Sequence, residues 1–213
     1  MRYAKINSLD ISNGEGIGVS IFVQGCHFHC KGCFNKETWD FNGGKEWNEE
    51  IEKQFIELIS KPYIKRVSIL GGEPLADENL ELTQMLISLI LETSLSTNKK
   101  IMIWIYTGYI LETIQNDVHI ANQEIFSYKQ DKLSDDDIDK IIKNKITIFN
   151  NDNRIKRNNI ALMCDYLVDG RFEIDKQDLA YSKVKFAGST NQRIIDIQKT
   201  LEKGEIVLYE QNS

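Results

Sequence analysis

Three of the chain's four cysteines crowd between positions 26 and 33 as Cys26, Cys30 and Cys33, in the spacing C-x3-C-x2-C. So tight a group is wrong for a disulfide framework, whose pairs must be held apart, and right for a metal or cluster site in a reducing compartment. Three thiolates can hold three irons of a [4Fe–4S] cluster and leave the fourth iron open. An open position takes a small-molecule chelate, as an open zinc position takes substrate, and the amino and carboxylate groups of a methionine moiety would form one. Two other readings of the same residues stand beside this one. A structural zinc site would draw its fourth ligand from His27, His29 or Cys164. An electron-carrier cluster would take Cys164 as its fourth ligand. Cys164 opens an apolar segment, where a plain core thiol is expected. Phe34, directly after the third cysteine, is placed to shield the cluster from water.

What surrounds the cysteines predicts an α/β chain. Val19, Ile21 and Val23 alternate with Ser20, Phe22 and Gln24, a strand that runs into Gly25 and the cysteine loop. Ile51, Phe55, Leu58 and Ile59 share a helical face that ends before Pro62. Val67 to Leu70 predicts a strand running into Gly71-Gly72-Glu73-Pro74, Leu80 to Leu91 a helix, and Ile101, Ile103 and Ile105 a strand ending at Thr107-Gly108. Further strands are expected over Tyr166 to Val168, Val184 to Phe186 and Ile206 to Tyr209, and a helix over Ile194 to Leu201 stopped by Gly204. Strands alternating with helices point to a parallel sheet with its chemistry at the carboxyl ends of the strands. The cysteine loop, Gly71 to Pro74, Tyr106-Thr107-Gly108 and Asp169-Gly170 all fall there. Two glycines at a strand end admit a ligand close to the backbone, and Glu73 could accept hydrogen bonds from an ammonium group. Residues 112–159 are polar, with the acidic run Asp135-Asp136-Asp137 and a short amphipathic helix around Ile138, Ile141 and Ile142. They read as a surface insertion within one domain spanning 1–213.

Composition narrows the partners. Lys and Arg number 26 against 32 Asp and Glu, for a formal net charge of -6, with no basic run to follow a phosphate backbone. The N-terminus shows no secretory signal, and the most apolar stretch, Met85 to Leu91, is far too short to span a bilayer. A cytoplasmic protein that binds neither nucleic acid nor membrane is expected.

Several segments together carry a resemblance. They are Asp10-Ile11-Ser12-Asn13-Gly14; Gly25-Cys26; Gly32-Cys33-Phe34-Asn35-Lys36-Glu37-Thr38-Trp39; Ile103 to Tyr109; Leu167-Val168-Asp169-Gly170-Arg171-Phe172; and Gly188-Ser189-Thr190-Asn191-Gln192-Arg193. With the cysteine motif and the Gly71 to Pro74 turn, the chain resembles the radical S-adenosylmethionine superfamily. Within it, the chain is similar to the family that activates anaerobic ribonucleoside-triphosphate reductase, over roughly Met1 to Tyr109 and Met163 to Leu201. The family often carries Arg where this chain has Gly18, and has a shorter segment between Tyr109 and Cys164. The resemblance implies a partial (β/α) barrel and a [4Fe–4S] cluster on Cys26, Cys30 and Cys33, which are also the catalytic residues. It implies S-adenosylmethionine held among Gly32, Phe34, Gly71, Gly72, Glu73, Thr107 and Asp169. It further implies one electron from a carrier such as flavodoxin or ferredoxin, cleavage to methionine and a 5′-deoxyadenosyl radical, and a glycyl radical left on the catalytic subunit of the anaerobic ribonucleotide reductase. Arg171 and Arg193 are candidate docking residues. Other activases of glycyl-radical enzymes, or a small-molecule enzyme such as a deazaguanine synthase, share part of this pattern.

Overall fold

The computed structural model describes residues 1–126, 151–177 and 185–210. Its framework is a seven-stranded sheet in the order β3-β1-β2-β4-β5-β6-β7. The strands are β1 (Arg2–Asp10), β2 (Gly18–Val23), β3 (Lys45–Glu46), β4 (Arg66–Gly71), β5 (Met102–Tyr106), β6 (Tyr166–Asp169) and β7 (Arg193–Asp196). The middle four, β2-β4-β5-β6, are parallel, whereas β1, β3 and β7 pair antiparallel at the two edges. The expectation of a parallel sheet therefore holds for the centre only. Among the described residues the sheet stays open, with β3 and β7 as its edges and no pairing that closes a barrel.

Register explains why the central strands pair as they do. Ile21, Ile69, Ile105 and Leu167 stand side by side across four strands, a row of large apolar side chains at one level. This row belongs to a core that also holds Phe55, Leu86, Ile114 and Ile160 from the helices α1 (Glu49–Ser60), α2 (Leu80–Ser96), α3 (Leu111–Phe126) and α4 (Asn153–Leu162). Such a face leaves water only when helices cover it, as crossovers in parallel sheets do. The opposite face is different. Ser20, Arg66, Ser68 and Trp104 are buried there under loops rather than helices. That polar, loop-covered face, together with the strand ends, is where a site can form.

Local signals set the helix limits. Asn48 caps α1 by accepting from the Ile51 N–H, and Pro62 stands just past its end. Asp196 caps α5 (Ile197–Lys203) by accepting from the Lys199 N–H, and Gly204 stops it in the left-handed conformation. The helix expected from Ile194 thus begins at Ile197; Ile194 to Asp196 are strand, paired with β6. Lys185 and Phe186 form a turn rather than a strand, Val184 lies outside the described residues, and only Leu208 of the expected last strand makes a bridge, to Ile195.

The stretch 112–159 is more than surface at its two ends. Ile114 and Ala121 of α3 and Ile155 and Arg157 of α4 are buried. The expected helix around Ile138 and the acidic run at Asp135 lie outside the described residues. Among the described residues no helix is long and apolar enough to cross a membrane.

Candidate active site

β2 delivers the chain to Gly25, whose φ of 102° no side chain adopts easily. A Cβ there would also lie 2.0 Å from the Phe41 ring. The cysteine loop is then tied down by Glu37-Thr38-Trp39, which returns beneath it: Gly25 N–H donates to Thr38 O (2.7 Å) and Cys26 N–H to Trp39 O (3.1 Å). The buried Gln24 amide reinforces this by donating to Glu37 O (3.1 Å) and Asp40 O (2.6 Å). Within the loop, Cys33 N–H donates to Cys30 O at 3.1 Å, across a turn for which Gly32 takes a φ of 76°.

The glycine turn docks against the start of this loop. Gly72 N–H donates to Val23 O (2.9 Å) and Glu73 N–H to Gly25 O (2.8 Å). The approach is so close that a Cβ on Gly72 would sit 2.2 Å from Gly25 O. Glu73 is buried, and its carboxylate accepts from Thr107 Oγ1 (2.7 Å), Gly108 N–H (2.7 Å) and Leu75 N–H (2.9 Å). Burial pushes its pKa up to about 7, against those hydrogen bonds and the charge of Arg157. Three acceptances are thus made within the protein, fastening the turn after β4 to the turn after β5.

These loops enclose a cavity of about 230 Å³. Its lining includes Cys26, Cys30, Cys33, Phe34, Gly71, Gly72, Glu73 and Thr107. Gly32 and Asp169 are not on its wall. Gly32 packs towards Ile174, where a Cβ would lie 2.8 Å from the Ile174 side chain. Asp169 is fully buried beneath the wall, accepting from Arg193 Nε (2.9 Å) and from Leu111 N–H (3.0 Å). Arg193 also forms two hydrogen bonds with Glu112, at 2.8 Å and 2.7 Å, so it is an internal clamp rather than a free docking group.

Other walls come from residues not singled out as site members: Ser12 and Asn13, Phe28, Asn35, Tyr106, Phe186, Ala187 and Gln192. Ser12 and Asn13 are placed by Asp10, whose Oδ1 accepts from both backbone N–H groups (3.0 and 2.9 Å) and from the buried Arg66 (2.6 Å). Arg66 also occupies the space that a side chain at Gly18 would need, 2.4 Å from the Cβ position.

The donor set can be tested against a cluster. Cys26, Cys30 and Cys33 are unpaired, partly buried and face one cavity. Burial raises the pKa of Cys26 and Cys30, while amide N–H groups of Phe28 and His29 at Cys26, and of Phe172 at Cys30, work in the other direction. Asn35 N–H donates to Cys33 Sγ at 3.4 Å. Backbone N–H groups directed at thiolate sulfurs are the usual surroundings of an iron–sulfur cluster. Among the described residues the zinc alternative finds no ready fourth ligand. His27 Nε2 is bonded to Glu78 at 2.9 Å, and His29 stacks on Trp39. Cys164 is buried at the other end of the strands, bonded to Ala161 O and lining a different cavity.

A family model described as a 4Fe-4S single cluster domain matches residues 12–134. Relatives named anaerobic ribonucleoside-triphosphate reductase-activating protein align as well. The one from Pasteurella multocida (strain Pm70) is 28% identical over 196 residues, 91% of this chain and 96% of its own length. The one from Enterobacteria phage T4 is 34% identical over 115 residues, 54% of this chain and 71% of its own. The one from Escherichia coli (strain K12) is 34% identical over 116 residues, 54% of this chain and 73% of its own. This chain belongs to the anaerobic ribonucleoside-triphosphate reductase-activating protein family. Membership brings an iron–sulfur cluster with it, and the three thiols of the cavity fit that cofactor.

In this member of the family, the loop after β6 closes over the cysteines. The Phe172 ring meets Phe34 at 5.0 Å, and the Arg171 guanidinium lies 4.3 Å above the Phe28 ring. Tyr106 fixes the opposite wall by donating from its hydroxyl to Phe186 O at 2.9 Å.

Proposed function

We propose that the chain is a radical S-adenosylmethionine activase that generates a glycyl radical on the catalytic subunit of an anaerobic ribonucleotide reductase. The observation that carries this is the convergence of Cys26, Cys30 and Cys33, with no fourth cysteine near them, on one cavity shared with the Gly71-Gly72 turn. Three thiolates hold a [4Fe–4S] cluster and leave one iron for the methionine end of S-adenosylmethionine. Once bound, the cofactors would supply the chemistry: reductive cleavage of the sulfonium C5′–S bond by one electron from a carrier such as flavodoxin or ferredoxin, and through it removal of a hydrogen atom from a glycine Cα.

The protein's part is to bind, orient and exclude water. Gly71 and Gly72 present bare backbone to the methionine end. Thr107 and Glu73 keep that backbone still, and Gly32 lets the loop turn between Cys30 and Cys33. Asp169 acts from behind by holding Arg193 and the start of α3. Phe28, Phe34, Phe172 and Phe186 make the walls apolar, which suits a reaction that must be kept from water. A primary carbon radical attacks nearly any C–H bond, so selectivity comes from positioning. An inserted protein loop suits this, because its glycine has no side chain over its Cα. The parallel centre of the sheet, β2-β4-β5-β6, is read as the partial (β/α) barrel of this superfamily, in a single cytoplasmic domain.

The test mixes the reduced, reconstituted protein with S-adenosylmethionine and the reductase of the same organism without oxygen. Electron paramagnetic resonance should show a glycyl doublet on the reductase, and ribonucleotide reduction should follow. If 5′-deoxyadenosine forms and no doublet appears, the target is another protein or a small molecule.

A further inference from the structure

The stretch expected to be a surface insertion sends a buried cation to the residues that support the cavity wall. Arg157 sits in α4 and is 7% exposed. Its Nε–H donates to Leu75 O at 2.8 Å, and its terminal nitrogen pairs with Asp77. It therefore grips the residues that follow Gly71-Gly72-Glu73-Pro74. Its guanidinium also lies over the Tyr109 ring, 4.6 Å from the centroid, inside the ~6 Å reach of a cation–π contact. Tyr109 sets its ring edge-on to Phe28 of the cysteine loop at 5.0 Å, and its N–H donates to Thr107 Oγ1 at 3.1 Å. One side chain thus joins the cysteine loop, the glycine turn and the turn after β5.

A helix needed only for packing would bury an apolar residue at this point. A guanidinium is planar, and its donors point in fixed directions, so it sets both distance and angle between the groups it binds. We propose that Arg157 is a positioning residue for the cofactor: it holds residues 71–77 at a fixed height above the cysteine loop, so that S-adenosylmethionine meets a preformed wall. This rests on the reading of the cavity as an S-adenosylmethionine site.

The experiment measures uncoupled cleavage of S-adenosylmethionine by reconstituted protein, with iron content and melting temperature recorded alongside. Arg157→Met should raise KM for S-adenosylmethionine tenfold or more, with kcat within threefold and iron content unchanged. Arg157→Lys should recover part of the loss, since it keeps the charge but cannot reach both Leu75 O and Asp77. Asp77→Asn, at a side chain 54% exposed, should fold normally and raise KM severalfold, and it decides the matter if the Met variant is insoluble. Ile155→Ala loosens the same helix at a buried apolar residue and should lower the melting temperature while leaving KM within twofold. Wild-type KM in Arg157→Met or, should that variant not fold, in Asp77→Asn, or an equal rise in Ile155→Ala, overturns the proposal. A wild-type protein that makes no 5′-deoxyadenosine refutes the underlying reading and the proposal with it, whereas cleavage without a glycyl doublet touches only the identity of the target.

Discussion

Glu73 is enclosed on every side and spends its carboxylate on Thr107, Gly108 and Leu75. Glu73→Gln puts an NH2 group where one of those N–H donors points, a cost of about 1–3 kcal/mol for the unpaired group. The pH dependence has a definite sign. An acid whose native pKa, about 7 here, lies above its ordinary 4.5 contributes stability that is complete below the lower value and lost as pH rises through the higher. The melting-temperature gap between wild type and Glu73→Gln should therefore narrow from about pH 5 to about pH 8. A gap that widens instead would show Glu73 to be held as a carboxylate with a lowered pKa. Gly72 carries a related prediction. Because its Cβ would meet Gly25 O, Gly72→Ala should displace the first cysteine and lower bound iron after reconstitution, in addition to weakening the cofactor. Full iron content in that variant contradicts the close approach. The cysteines, Phe34, both glycines and Thr107 were legible as cavity residues because each stands in a short motif at a strand end. The inward direction of Glu73 was not legible, since nothing in Gly-Gly-Glu-Pro tells whether the carboxylate meets ligand or backbone.

Among the elements, β6, β7 and α3 meet at one buried carboxylate. Asp169 is fully buried and Arg193 binds it and Glu112 together. Breaking a buried pair costs about 3–5 kcal/mol, and with Arg193 partly exposed the lower end applies, so Asp169→Asn should lower stability by about 3 kcal/mol. Since Asp169 lies off the cavity wall, KM for S-adenosylmethionine at a permissive temperature should stay within twofold of wild type. A rise of tenfold with normal stability would return Asp169 to the cofactor. Central strands and long helices were legible because their apolar periods are strong. β1 shows no alternation in the sequence, because only Tyr3 and Asp10 are buried and Lys5, Ser8 and Leu9 are exposed. The start of α5 was misplaced because Ile194 and Ile195 continue an apolar run into strand β7, although Asp196 is a ready N-cap. Arg157 was hidden in a polar segment, where a single arginine reads as surface until the fold brings Leu75 and Tyr109 to it.

On the scale of the molecule, the sheet separates two kinds of burial. One face is a helix-covered apolar core, and the other is polar, loop-covered and open at the strand ends, where the loops after β2, β4, β5 and β6 converge with Ser12-Asn13 and the 186–192 segment. Cys164 belongs to the opposite end, buried and bonded to Ala161 O. On the proposed function, Cys26, Cys30 and Cys33 alone hold a cluster able to cleave S-adenosylmethionine. The measurement that tests it most directly is 5′-deoxyadenosine formed after anaerobic reconstitution with iron and sulfide, in wild type, Cys164→Ala and the Ala variant of each of Cys26, Cys30 and Cys33. Product from wild type and Cys164→Ala, and none from the other three, is the predicted result. Product that survives loss of Cys26, Cys30 or Cys33, or disappears in a folded Cys164→Ala, would contradict it.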